Sequence, residues 1–211
     1  MALRIAIRSN PILASEMRQI FGRRFALAQL LLFAGAAALA VYVAWPREVK
    51  LLMHRDRVSA MALDMLGGAL RGLALLIGPA YAALSVTRDR DRGALEWICS
   101  TPLGPKKIFQ AKFLASAAFL WMLILSTAPV AAVVYLLGGL EWWKLAATYA
   151  ELLLAAGAIS AHGVCCSARM RTSGGALALA YGQALPIGAL WMAFPDYHAV
   201  WLIAAAAAWA F

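Results

Sequence analysis

His162, Cys165 and Cys166 fall within five consecutive positions of "SAHGVCCSARMR". His162 and Cys166, at i and i+4, share one face of a helix. An imidazole beside a thiol is the pairing that nucleophilic catalysis uses, with a third group to orient the base. The flanking residues offer no such group. Zinc commonly takes four Cys or His ligands, and three on a single helix fall short of that set. A b-type haem needs a second intramembrane histidine, whereas His54 and His198 belong to loops. Without a GxxxxGK[ST] loop, the chain cannot hydrolyse ATP by the P-loop route. These residues therefore assign no catalytic group, metal site or cofactor to this chain. The three cysteines read as small apolar helix residues on the reducing side of a membrane.

Arg71, Glu151 and Gln183 interrupt otherwise apolar runs. Arg71 precedes Arg88 by 17 residues, about 25 Å along a helix. Glu151 precedes Arg169 by 18 residues, about 27 Å. If Arg88 and Arg169 mark the inner ends of their helices, both charges lie at one depth near the outer leaflet. Two arrangements are open: a direct ion pair, or separate snorkelling to the interface. Gln183, Ser126 and Thr127 line a pathway, or bond a neighbouring helix or their own backbone.

The elements that must carry these residues follow from composition. Of the 211 residues, 64% are hydrophobic and 14% charged; a soluble domain is nearer half and a quarter. The apolar residues form continuous runs of about 20, as helical membrane spans do, and not the alternation of a barrel. The fold class is all-α: a polytopic helical membrane protein of about six spans in one domain, residues 1–211. The expected spans are 25–45, 66–87, 113–137, 145–167, 176–194 and 199–211. Pro129 should kink the third. An amphipathic helix over 8–24 lies in the membrane surface, with Leu13, Met17, Ile20 and Phe21 on its apolar face. Charge and the lack of a long apolar core in Met1–Arg24 do not match a secretory signal. The last run holds 13 residues, about 20 Å of helix against a hydrocarbon core of about 30 Å. The native chain is therefore expected to continue beyond Phe211.

The formal charge of +9 is assigned to membrane topology and not to nucleic acid. With the amino terminus cytoplasmic, the inner segments carry 13 basic residues and the outer loops 5, as the positive-inside rule requires. The segment between spans two and three is then cytoplasmic. It reads "RDRDRGALEWICSTPLGPKKIFQAKFL", Arg88–Leu114. Gly93 breaks the charged run. "ALEWICS" makes about two helical turns, with Leu95, Trp97 and Ile98 as an apolar ridge. Pro102, Gly104 and Pro105 end it. So short a helix is marginal alone and must pack on its own bundle or on a partner.

This stretch resembles the membrane permeases of ATP-binding-cassette (ABC) exporters of the type-2 class. Gly93, Leu95, Glu96, Thr101, Pro102 and Leu103 match the Gly, Leu, Glu and Thr-Pro-Leu pattern of their coupling helix. "NPILASEMRQIFGRR" resembles the segment that precedes their first span. The resemblance implies a coupling element over 93–104, with Arg92, Gly93, Leu95, Glu96, Trp97, Ile98, Thr101, Pro102 and Leu103 meeting a separate ATPase subunit. That partner would hold the ATP and Mg. The resemblance also implies a second permease copy, identical or related, a place in a bacterial inner (plasma) membrane, and outward transport. A haem-exporter membrane subunit shares this layout. An intramembrane enzyme and an ATPase-independent channel or carrier are the alternatives from other classes.

Overall fold

A chain whose apolar runs carry few breakers should fold as long helices, and it does. The computed structural model describes residues 11–21, 24–44, 55–94, 96, 104–138 and 141–193, with no strand among them. Its main elements are α1 (Pro11–Phe21), α2 (Arg24–Ala44), α3 (Arg55–Asp91), α4 (Pro105–Leu125), α5 (Ala128–Gly138), α6 (Trp142–Arg169) and α7 (Ser173–Ala193). Among the described residues, three stretches are long and apolar enough to cross a membrane: Met61–Asp91, Pro105–Leu136 and Trp142–Arg169. Leu27–Val43 is a shorter apolar helix. The expected span 199–211 lies outside the described residues.

The second expected span is longer than its apolar run. α3 has 37 residues, about 55 Å of helix, well over the ~30 Å hydrocarbon core. It takes in Arg88–Asp91 and positions 55–65, which lie on either side of the expected span 66–87. Alternating Arg and Asp do not break a helix; Gly93 does, at φ +70, the left-handed conformation that suits glycine beyond a helix end.

The third expected span breaks where only a kink was foreseen. α4 stops at Leu125 and α5 starts at Ala128. Pro129 lacks the N–H that would reach the Leu125 carbonyl. Ser126 Oγ donates instead to the Leu123 carbonyl at 2.6 Å, and Thr127 Oγ1 to that of Ile124 at 2.6 Å. These hydroxyls satisfy backbone acceptors at a point where water is scarce.

α3 and α6 run parallel in one register. Gly67 meets Thr148, Arg71 meets Glu151, Gly78 meets Ile159, and Gly163 meets Ala82. Ser167 Oγ accepts from the Val86 and Thr87 amides at 3.1 Å, and Arg90 donates to the Met170 carbonyl at 2.5 Å. Every pairing is offset by 80 or 81 positions, so the helices stay side by side along most of their length. α4 is antiparallel to α3, stacking Phe119 on Tyr81 with ring centroids 4.4 Å apart. α7 is antiparallel too, seating Gly188 against Leu75. Chain direction therefore alternates through α3, α4, α6 and α7. Large side chains such as Leu31 (74% exposed), Leu136 (77%) and Leu154 (65%) cover the outside, an exterior suited to lipid.

α1 falls within the expected helix over 8–24. Leu13 and Met17 of its expected apolar face are buried and join the core with Ala111 and Ala115 of α4. The side chains of Ile20 and Phe21, the rest of that face, lie outside the described residues.

Close approach of α3 and α6 depends on missing side chains. A Cβ on Gly163 would sit 2.4 Å from Ala82 Cβ and 3.1 Å from the Ala83 amide nitrogen. Small residues at a contact let helix backbones pack where no hydrophobic drive between helices exists. Gly163→Val is expected to destabilise the detergent-solubilised protein by about 1–3 kcal/mol or more. Gly68→Ala, with nothing within 4 Å of its added carbon, should not. Thermal unfolding of the two variants beside wild type is the check.

Candidate functional site

Two polar clusters interrupt the apolar bundle, one within it and one at its end. The first joins α3, α6 and α7. Arg71 Nη2 lies 3.1 Å from Glu151 Oε2. Trp191 Nε1 donates to the other carboxylate oxygen, Oε1, at 2.9 Å. The Arg71 guanidinium also lies 5.5 Å from the Trp191 ring centroid. Of the two arrangements the sequence left open, the structure has the direct pair. Both side chains are 15% exposed, so the pair is shielded from solvent but not sealed. An indole edge and a guanidinium satisfy one carboxylate, and the indole face offsets part of the cation's burial.

Trp191 was not foreseen as a partner. The signal was present: Ala176, Ala180, Ala184 and Gly188 repeat every four residues and mark one face of α7. Trp191 ends that stripe and is 5% exposed. Thr127, in the turn before α5, also bonds across: its Oγ1 is 2.9 Å from Tyr149 Oη. Thr127 thus bonds both its own backbone and a neighbouring helix, and Ser126 its own backbone. Gln183 is exposed, with Oε1 4.0 Å from Cys166 Sγ.

The second cluster joins five helices, α1, α3, α4, α6 and α7. Lys112 of α4, its side chain 2% exposed, bridges Glu16 of α1 and Asp89 of α3. Ser173 Oγ donates to Asp91 at 2.5 Å, tying α7 to α3. Arg90 reaches the Met170 carbonyl beyond α6. The basic segments that the charge count put on one side of the membrane thus converge at one end of the bundle. Sequence alone counted Lys112 as a topological charge. Its place two turns into α4, beyond the reach of the helix end, was the sign that it needs carboxylate partners.

At this end lie both flanks of the segment that resembles a coupling element. Arg92 and Gly93 form the turn after α3. Glu96 is helical and exposed. Leu95, Trp97, Ile98, Thr101, Pro102 and Leu103 lie outside the described residues. The chain resumes at Gly104, which caps α4, with Pro105 in its first turn. Both ends of the segment are therefore fixed, and Lys112 and Asp89 link the two helices that hold it.

The His162–Cys166 pair holds at 3.5 Å from Nε2 to Sγ. Both residues are buried. No group of three or more His, Cys, Asp or Glu able to hold a metal occurs among the described residues. Neither any family model nor any curated protein matches this chain.

Removing one member of a shielded pair strands the other. Arg71→Met and Glu151→Leu are each expected to lower stability by about 3 kcal/mol. The double variant should lose less than the sum, because no charge is left alone. Denaturation of all three variants in one detergent gives the coupling energy.

Proposed function

We propose that this chain is the membrane subunit of an ATP-driven exporter of the type-2 ABC permease kind, with ATP and Mg bound by a separate ATPase subunit. The observation that carries the proposal is the anchoring of the segment 92–104. It leaves α3 at a glycine turn, presents an exposed Glu96, and returns into α4 through Pro105. The two helices are joined at its base by Asp89 and Lys112, and through Glu16, Arg90 and Asp91 to α1, α6 and α7. A push on this segment would reach every helix that meets there. A loop serving only to reverse the chain has no need of such ties.

In this reading the end bearing the cluster is cytoplasmic, as is the amino terminus, and the membrane is a bacterial inner membrane. The three helices of spanning length are joined by α2, α7 and the 199–211 run to make six spans. An apolar ridge of Leu95, Trp97 and Ile98 fills a groove on the ATPase, and Glu96 pairs with a basic group at its edge. Thr101, Pro102 and Leu103 fix the return. Closure of the ATPase dimer on ATP moves the segment, and the packed helices shift to an arrangement open to the other side. The route runs between two permease copies, which is where an exposed Gln183 would be of use.

Purification from mild detergent is expected to bring down a soluble protein with a GxxxxGK[ST] loop. Well-folded protein that arrives without one would favour a channel or an intramembrane enzyme. Glu96→Arg should insert and fold as wild type, since Glu96 is exposed, but lose at least about tenfold of ATPase affinity, as a reversed charge pair would. Unchanged co-purification and unchanged transport-linked hydrolysis would remove Glu96 from the interface.

A further inference from the structure

The charged end also opens into a groove that the coupling proposal does not use. It has a volume of about 390 Å³ and lies between α3 and α4, bordered by Glu16 and Gln19 of α1 and Gln29 of α2. That size is within the range of small-molecule sites.

Its α3 wall is a single helical stripe: Leu76, Ile77, Ala80, Tyr81, Leu84, Ser85, Arg88, Asp89 and Arg92. The stripe changes character along its length. From Leu76 to Leu84 it is apolar apart from the Tyr81 hydroxyl, and the stacked rings of Tyr81 and Phe119 line it. That part covers eight helical steps, about 12 Å, close to the ~15 Å of one leaflet's hydrocarbon. Beyond it come charges. Lys112 is committed to Glu16 and Asp89. Arg88 and Arg92 are exposed and have no carboxylate partner among the described residues. Between the two zones, the Ser85 hydroxyl is buried without a hydrogen-bond partner. A buried hydroxyl left unpaired is costly, and Ser85 is a residue of the groove wall at the level where an apolar chain would give way to a polar head.

We propose that this groove binds one anionic amphipath, its acyl chain along Leu76–Leu84 and Phe119, its acidic head between Arg88 and Arg92, and a linking oxygen at Ser85. Chain, hydroxyl and cations lie in the order in which such a molecule presents tail, linkage and head. A zwitterionic lipid would bring a second positive charge to the arginines, and a free anion would leave the apolar wall unfilled. The site needs only this chain, so it stands apart from the exporter proposal.

The test uses the full chain in nanodiscs of phosphatidylcholine containing a minor share of phosphatidylglycerol, released into a native mass spectrometer. One phosphatidylglycerol should be retained per chain at activation energies that strip phosphatidylcholine. Arg88→Gln should lower that retention about tenfold, as loss of one charge-assisted contact does. Ala80→Trp should abolish it by filling the wall. Ser85→Ala, a change too small to disturb packing, should weaken it and so covers the case in which the tryptophan variant misfolds. Equal retention of both lipids, or phosphatidylglycerol retention unchanged by Arg88→Gln and Ser85→Ala, would overturn the proposal and leave only lipid of the annulus. Competition by inorganic phosphate alone would overturn the role of the acyl wall.

Discussion

Contact between α3 and α6 at Gly163 and Ala82 fixes the rest of the molecule. In a membrane the lipid tails are as apolar as the side chains, so helices associate through close packing and hydrogen bonds and not through escape from water. Two backbones can come this near only where a side chain is absent. Once they do, parallel direction and constant register follow along both helices. Arg71 is brought to Glu151, the Val86 and Thr87 amides to Ser167, and Arg90 to Met170. Moving α6 by one turn would shift its partners by about 5.4 Å and break all three.

That register gives the bundle two polar layers of different kinds. The Arg71–Glu151–Trp191 layer is shielded, and the carboxylate is bonded by both the guanidinium and the indole N–H. A charge that loses its partner inside a span must neutralise, snorkel or draw in water. The layer therefore holds α3, α6 and α7 in one arrangement. The Lys112 layer lies at the charged end and binds helix ends to one another. One buried ammonium serves two carboxylates from two other helices, which gives a joint with three arms.

The joint leaves the turn at Arg92–Gly93 and Glu96 exposed beyond it. Both helices that flank this segment are tied to each other by Asp89 and Lys112. The groove beside the joint is built from the same two helices. Any rearrangement that separates α3 from α4 would change its width.

Much of this could be read in the sequence. Continuous apolar runs determined helices of spanning length, because backbone groups in hydrocarbon must be bonded within the segment. Gly93 and Pro105 determined where α3 stops and α4 begins, because each acts through its own backbone. The i, i+4 spacing placed His162 beside Cys166. The depth count put Arg71 and Glu151 at one level, but depth says nothing of azimuth, and whether they face each other was decided only by the crossing of α3 and α6. Trp191 entered the pair, Lys112 found two partners, and Leu13 and Met17 of α1 joined the core for the same reason. Those outcomes depend on which helix lies beside which. That is decided by packing among residues far apart in the chain, and local sequence does not record it.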